Sequence, residues 1–335
     1  ILFRKLMKKK SSVIFDEDSN ITKKIKSISK NKNLKTLSIG SKTSNLKIIE
    51  HKFVNMEQQI KFLYNDRIYS FSTSLIGKVQ IKNLMMSVLA AYKSNINMNN
   101  ILNSLKKIKP VHGRLEKIGN LKNNSIVILD YAHTPDALEV CLKNLRDQFS
   151  LKKINIVFGC GGERDIPKRK IMGRIANTYC KKVYLTDDNP RRENPKKIRN
   201  QIKEQISRKK LVEISSRELA IKSAIQNIQS DEIVVVAGKG HETYQEYKKK
   251  KYFSDKNCIF KSIKEKNKNL NKNWKVNILN EKLKNKLSNK IIINKACINS
   301  REIKQNNIFF GVRGKKIDGN KYANQAIKNG ASISI

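Results

Sequence analysis

Ile126-Val-Ile-Leu-Asp130-Tyr-Ala-His-Thr-Pro-Asp136 is the stretch that decides how this chain folds. Four consecutive apolar residues suit a strand buried on both faces of a parallel sheet. Thr134-Pro135 then opens a helix, because proline lacks the N–H that a first helical turn leaves unpaired. Further buried-strand runs follow at Ile154-Asn-Ile-Val-Phe158, Val183-Tyr-Leu185 and Ile233-Val-Val-Val236. They alternate with helical patterns beginning near Pro135, Pro167, Pro195 and Ser216. Four βα repeats over residues 111–262 predict an α/β domain with an open, Rossmann-like doubly wound sheet.

Working outward, residues 1–110 read as mixed α/β. Short strands are expected at Ser12-Val-Ile-Phe15 and Leu34-Lys-Thr-Leu-Ser-Ile39, and a hairpin around Asn65-Asp66 joins the alternating runs Ile60–Tyr64 and Arg67–Phe71. Helices are expected at Ile1–Met7, Asn83–Ala91 and Ile96–Ile108. Residues 263–290 are dense in Lys and Asn with few apolar anchors and read as a linker. Patterning resumes at Ile291-Ile-Ile293, Ile308-Phe-Phe310 and Tyr322–Ile327, the expected start of another α/β domain. Both ends of the sequence read as the middle of an element.

The 335 residues carry 71 Lys+Arg against 28 Asp+Glu, a formal charge of +43. Only 14 of the 71 are Arg and the Lys are spread throughout, so a solvated basic surface is favoured over a dedicated nucleic-acid face. A basic nucleic-acid-binding module is the alternative from another class. No apolar run approaches the ~20 residues a membrane span needs. The five cysteines form no CxxC pair, which predicts a reduced, cytoplasmic protein without structural zinc.

In doubly wound sheets, ligands bind beyond the carboxyl ends of the strands. Asp130, at such an end, either accepts from ribose hydroxyls or caps a turn. Gly159-Cys-Gly-Gly-Glu-Arg-Asp165 lets backbone approach a ligand closely, and is not the GxGxxG of a dinucleotide oxidoreductase. Asp188-Asn-Pro-Arg191 sets opposite charges on a proline-stiffened turn; it could grip the ammonium and carboxylate of an amino acid, or be a turn with an internal ion pair. Gly238-Lys-Gly-His-Glu242 lacks the Ser or Thr that a Walker motif needs after Lys, as do Gly77-Lys78 and Gly314-Lys315. His241 is either a general base or a turn residue.

Taken together, these four strand-end motifs resemble the Mur ligase family, and within it the MurE type. Those enzymes use ATP to add the third peptide residue to UDP-N-acetylmuramoyl-L-alanyl-D-glutamate. Upstream, Gly77 to Asn83 with Ala90-Ala91, and Gly113-Arg114-Leu-Glu116, resemble the family's central-domain motif and interdomain hinge. The resemblance covers about residues 1–262. It implies that Asn83, Arg114 and Asp130 contact ATP. It further implies that Arg164, Asp188, Asn189, Pro190, Arg191, Gly238 and Glu242 bind the incoming amino acid. The Asp-Asn-Pro-Arg loop is typical of members using meso-diaminopimelate, the alternative being a lysine-adding member. The sequence departs from the family pattern at Gln80, where Asn is usual, and at His112, where Pro is common.

The family's P-loop, Mg2+ ligands and carbamylated Lys would all precede this segment, so no catalytic or metal-binding residue is expected within it. Residues 1–110 are then the later part of a P-loop-type central domain, and 111–262 the carboxyl domain. The tail, through Ser300-Arg301, Phe309-Phe310, Gly314, Asp318-Gly319-Asn320 and Gly330-Ala331, resembles the start of a Mur ligase UDP-substrate domain. Its best match is the MurF type, which adds D-alanyl-D-alanine. The expected whole is a MurE–MurF fusion of which this chain is the middle. ATP and Mg2+ are the implied cofactors, and UDP-MurNAc-dipeptide and meso-diaminopimelate the implied substrates.

Overall fold

A computed structural model describes residues 11–41, 44–54, 56–272, 295–314 and 318–335. These residues form two compact units, one comprising 11–120 with 124–260 and the other 121–123 with the described part of 261–335. The helix expected at Ile1–Met7 and the strand at Ile291–Ile293 lie outside the described residues.

The first unit contains two large sheets. In the first sheet, β1 (Ser12–Asp16), β2 (Lys35–Gly40) and β3 (Leu46–Val54) run parallel, with α1 (Thr22–Asn31) connecting β1 to β2. The sheet then continues antiparallel through β4 (Glu57–Tyr64) and β5 (Arg67–Thr73). The hairpin between them turns at Asn65 (φ 47°) and Asp66 (φ 58°), the two left-handed positions of a tight two-residue turn. Helix α2 (Lys78–Lys93) buries Ile81, Leu84, Met85, Val88 and Leu89, and α3 (Met98–Leu105) starts at Asn97, whose side chain accepts from the Asn99 N–H. Two elements escaped the sequence reading. The apolar stripe of α1 is thin, and β3 interrupts its alternation with His51 and Lys52.

The second sheet has the order β10-β9-β8-β11-β7-β6. Its members are β6 (Glu116–Asn120), β7 (Ile126–Asp130), β8 (Lys153–Phe158), β9 (Lys182–Leu185), β10 (Leu211–Glu213) and β11 (Glu232–Ala237). All pair in parallel except the edge strand β6, which is antiparallel to β7. Every residue of β7 and β11 is buried, as unbroken apolar runs demand in a two-faced sheet. The crossover helices are α4 (Pro135–Gln148), α5 (Pro167–Tyr179), α6 (Pro195–Lys203) and α7 (Arg217–Gln226). The first three begin on proline; Thr134, Asn194 and Ser216 cap α4, α6 and α7 through their side chains. A small hairpin, β12 (Tyr244–Glu246) with β13 (Lys250–Tyr252), follows.

One expectation is corrected here. Residues 263–272 are not linker: α8 runs Asp255–Lys272, and Cys258, Ile259 and Ile263 give its otherwise polar sequence a buried stripe. In the second unit, β14 (Lys295–Cys297), β15 (Asn307–Phe309) and β16 (Ala331–Ser334) form a parallel sheet, with α9 (Ala323–Lys328) before β16.

The two sheets of the first unit are joined by a contact with no sequence signature. The α2 amino terminus is capped not by its own flank but by α4. Asn144 Oδ1 accepts from the Lys78 N–H at 2.6 Å, and Gln148 Oε1 from the Gly77 N–H at 2.9 Å. Gly77 sits at φ 89°, and a Cβ there would stand 2.9 Å from Asn144 Oδ1. Asn144→Ala is expected to destabilise this unit by about 1–2 kcal/mol, the usual loss of a helix cap, with unchanged secondary structure. Urea denaturation followed by circular dichroism checks this.

Candidate active site

The carboxyl ends of β7, β8, β9 and β11 carry the four motifs. Two cavities open there within the first unit.

The first, about 420 Å³, is lined by Asn83 and Gln80 from α2, Arg114 and Leu115 from the β6 approach, Asp130 from β7, and Ala137, Val140, Cys141 and Asn144 from α4. Asn83, Arg114 and Asp130 therefore face one space. Burial raises the Asp130 carboxyl above its ordinary value, although the Leu115 and Ala132 N–H groups, at 2.7 and 2.8 Å, and Arg114 all favour its ionised form. The Arg114 guanidinium lies over the Tyr131 ring at 4.7 Å. Sequence reasoning missed the apolar rim. Val79, Val111 and Val140 are 45%, 66% and 43% exposed yet converge on this one cavity, giving it walls suited to a flat base.

The residues that resemble the family's hinge are held tightly. Gly113 (φ 70°) leaves no room for a side chain, since a Cβ would come within 2.6 Å of the Gly240 and His241 backbone. Its N–H donates to Glu116 Oε2 at 2.8 Å, His112 Nε2 lies 3.7 Å from the same oxygen, and Lys256 Nζ reaches Glu116 Oε1 at 2.6 Å. Gln80 donates to the Arg114 carbonyl at 3.1 Å. Both departures from the family pattern thus bear on the hinge. His241 is an exposed turn residue with its ring 5.2 Å from that of Tyr131.

The second cavity, about 890 Å³, is lined by Arg164, Asp188, Asn189, Arg191, Gly238 and Glu242 together with Tyr131, His133, Lys168 and Tyr244. Pro190 does not line it; its carbonyl stands 2.0 Å from where a Cβ on Gly162 would lie, so the proline packs one loop onto the other. Gly159 is equally confined, with the Thr186 carbonyl 2.2 Å from its missing Cβ.

The two-signed turn is built differently from the simple picture. Asp188 and Arg191 are not each other's partners among the described ion pairs. Asp188 Oδ1 lies 3.4 Å from Lys239 Nζ, while Arg191 donates through Nη1 to the Gly162 carbonyl at 2.8 Å and lies 3.4 Å from Glu246. Arg191 adopts φ 56°, an uncommon conformation for a long side chain, and its N–H is held by the Glu246 carbonyl at 3.0 Å. Asn189 accepts from the Glu246 N–H and donates to Glu242 at 3.1 Å. Lys239, read at first only as a failed Walker lysine, is fully buried at the centre of this network.

Beneath the site two arginines are also buried. Arg217 makes a two-pronged pair with Asp255 at 2.8 and 2.7 Å and donates to the Ala237 carbonyl. Arg169 makes another with Glu193 and donates to the Gly161 carbonyl. Cys160 lines the cavity, but burial pushes its thiol up to about 12, which makes it unreactive. Among the described residues no group of three or more His, Cys, Asp or Glu could hold a metal ion.

Three family models match this chain: the Mur ligase middle domain over residues 1–91, the Mur ligase glutamate ligase domain over 113–240, and the Mur ligase family catalytic domain over 293–335. The chain belongs to the Mur ligase family. It is 42% identical over 222 residues to the UDP-N-acetylmuramoyl-L-alanyl-D-glutamate–2,6-diaminopimelate ligase of Rickettsia felis, covering 66% of this chain and 41% of that protein. The enzyme of the same name from Rickettsia rickettsii is 40% identical over 253 residues, 75% and 52% of the two chains. A solved structure of a ligase of that name superposes with a TM-score of 0.57 at 29% identity, covering 76% of this chain and 53% of that one. The chain spans about half the length of the curated relatives it matches.

Glu116 offers a pH test of the hinge. Burial opposes its ionisation, but Lys256, the Gly113 N–H and His112 outweigh it and hold the carboxyl below its ordinary 4.5. A depressed carboxyl contributes stability above its unfolded value and loses it as pH falls through the folded one. Glu116→Gln is therefore expected to cost about 1.5–3 kcal/mol at neutral pH, a difference that shrinks as pH drops below the ordinary carboxylate range. Denaturation midpoints measured across pH check both sign and window.

Proposed function

We propose that this chain is the nucleotide- and amine-positioning part of an ATP-dependent ligase that adds meso-diaminopimelate to UDP-MurNAc-L-Ala-D-Glu. The observation that carries this reading is the convergence of Arg164, Asp188, Asn189, Arg191, Gly238 and Glu242 on one cavity. Beside it, Asn83, Arg114 and Asp130 share another at the same end of the sheet. The relatives' names and the matching order of domains support it.

In this reading the first cavity takes ATP. Val79, Val111 and Val140 flank the base, Asp130 accepts from the ribose, and Arg114 reaches ribose or phosphate. The γ-phosphoryl group passes to the side-chain carboxylate of D-glutamate, giving an acyl phosphate. The diaminopimelate amine attacks that carbonyl, and phosphate leaves from the tetrahedral intermediate. This chain's residues hold nucleotide and amine in reach of each other, a contribution from orientation. Mg2+ is implied by the resemblance alone, and no step here is assigned to it.

Diaminopimelate carries a second amino-acid head group that lysine lacks. The cavity offers Arg164 and Arg191 for a carboxylate and Asp188 with Glu242 for an ammonium, and this favours diaminopimelate over lysine. Residues 1–110 and 111–262 are then the later central domain and the carboxyl domain. The match over 293–335 supports a second Mur ligase module in cis, read here as MurF-like.

Two measurements test the proposal. In a full-length ligase carrying this segment, Arg191→Ala is expected to lower kcat/KM for diaminopimelate roughly ten- to hundredfold, as befits one charged hydrogen-bonding group, while KM for ATP holds. Equal losses for both substrates would refute the assignment of the loop. The 335 residues contain no Walker sequence, so the purified chain alone should release no diaminopimelate-dependent phosphate.

A further inference from the structure

Lys239 is the buried group at the second cavity to which no motif gives a role. Its side chain is fully buried, and its Nζ lies 2.8 Å from Asn189 Oδ1, 3.1 Å from Glu242 Oε2 and 3.4 Å from Asp188 Oδ1. An ammonium has three N–H donors, and all three are engaged, so none is left for a ligand. A buried ammonium is tolerated only when paired and hydrogen-bonded. Here it is shared between two carboxylates.

The surrounding charges leave a defined remainder. Arg217, behind the cluster, is neutralised by Asp255. Asp187, next to Asp188, is taken by Arg199 and by the Tyr247 hydroxyl. Lys250 sits over the Tyr244 ring, and Arg191 is drawn to Gly162 and Glu246. Lys239, Asp188 and Glu242 therefore carry one net negative charge, facing Arg164 and Lys168 across the cavity.

We propose that Lys239 is a positioning and selectivity residue of the amino-acid site. It is an internal counter-ion that binds Asp188, Asn189 and Glu242 into one cluster with a single negative charge, matched to one ammonium of an amino-acid head group. This rests on the reading of the cavity given under the proposed function. Without the lysine, the two carboxylates would share the site with no ammonium between them, and the pair would give up its last proton less readily. The protonated pair keeps one negative charge but lacks the ammonium that holds Asp188, Asn189 and Glu242 in place, and a bound ammonium favours release of the remaining proton.

Calorimetric titration of meso-diaminopimelate into the 335-residue chain tests this, using wild type, Lys239→Met and the double variant Lys239→Met/Glu242→Gln. Folding is verified by circular dichroism, and pH is varied from about 5.5 to about 8, where a carboxylate pair of this kind would titrate. Wild-type affinity is the reference at each pH. Lys239→Met should bind at least about tenfold more weakly at the acid end and recover affinity as pH rises, by the linkage of proton release to binding. The double variant, which keeps one carboxylate but neither the lysine that holds the cluster together nor a second carboxyl to titrate, should bind weakly and lose that pH dependence. His133, which also lines the cavity, is common to all three proteins and drops out of the comparison.

Lys239→Met binding within about twofold of wild type, or a loss equal at every pH, would overturn the proposal, because a purely structural lysine would not move the pH profile. If Lys239→Met does not fold, the double variant decides: weak, pH-flat binding supports the proposal and wild-type affinity overturns it. A folded wild-type chain that ignores diaminopimelate would instead overturn the functional reading itself.

Discussion

The strand-end motifs of the larger unit hang from the insertion of β11 between β7 and β8. Its ladder sets Ala237 opposite Asp130 and Val236 opposite Val157. The chain leaves β8 for β9 and β10 and then returns to the middle of the sheet, so loops distant in sequence finish side by side. Gly238 donates to the Asp130 carbonyl at 3.1 Å, which ties the end of the last central strand to the end of the first. A one-residue slip in that pairing would exchange the faces that the β11 side chains meet and scatter both cavities. Glu232, bonded to Asn155 and paired with Lys181, helps to pin the register.

Above that scaffold, the loops are held by backbone contact and buried charge. Gly159 and Gly162 let the second loop lie directly against Thr186–Pro190, with no space for a methyl group. Arg169, Arg217 and Lys239 each lie fully buried with acidic partners. Pairs of this kind contribute little net stability compared with apolar packing, yet removing one partner strands a charge. The arrangement holds loop geometry at the expense of tolerance to substitution. The surplus of surface lysine is a separate matter: a net charge of +43 sets up a basic field around the protein.

Much of this was legible in the amino-acid order. The strands at Ile126, Ile154, Val183 and Ile233 announce themselves because burial on both faces leaves short, nearly unbroken apolar runs, Asn155 being the exception. The prolines at 135, 167 and 195 mark helix starts for a reason that is local. The residues that the family resemblance singles out, Asn83 and Glu242 included, line the two cavities, Pro190 excepted. What stayed hidden depends on partners far away in sequence. Lys239 reads as a loop cation until Asp188 and Asn189, about fifty positions earlier, fold around it. Val79, Val111 and Val140 look like stray exposed apolar residues until three separate elements bring them to one rim. The later part of α8, residues 263–272, does not read as helix because Lys and Asn dominate it, although Ile263 continues the buried stripe that Cys258 and Ile259 begin. The role of Pro190, packing loop on loop rather than facing the cavity, likewise depends on Gly162.

The capping of α2 by Asn144 and Gln148 makes the join between the two sheets part of the helix itself. Any swing about Gly113 that parted them would uncover the first amides of α2, so the motion carries a cost in unpaired donors unless water takes their place. The Lys78 amide is thus a natural gauge of that swing: protected from solvent exchange while the sheets stay joined, and released when they separate.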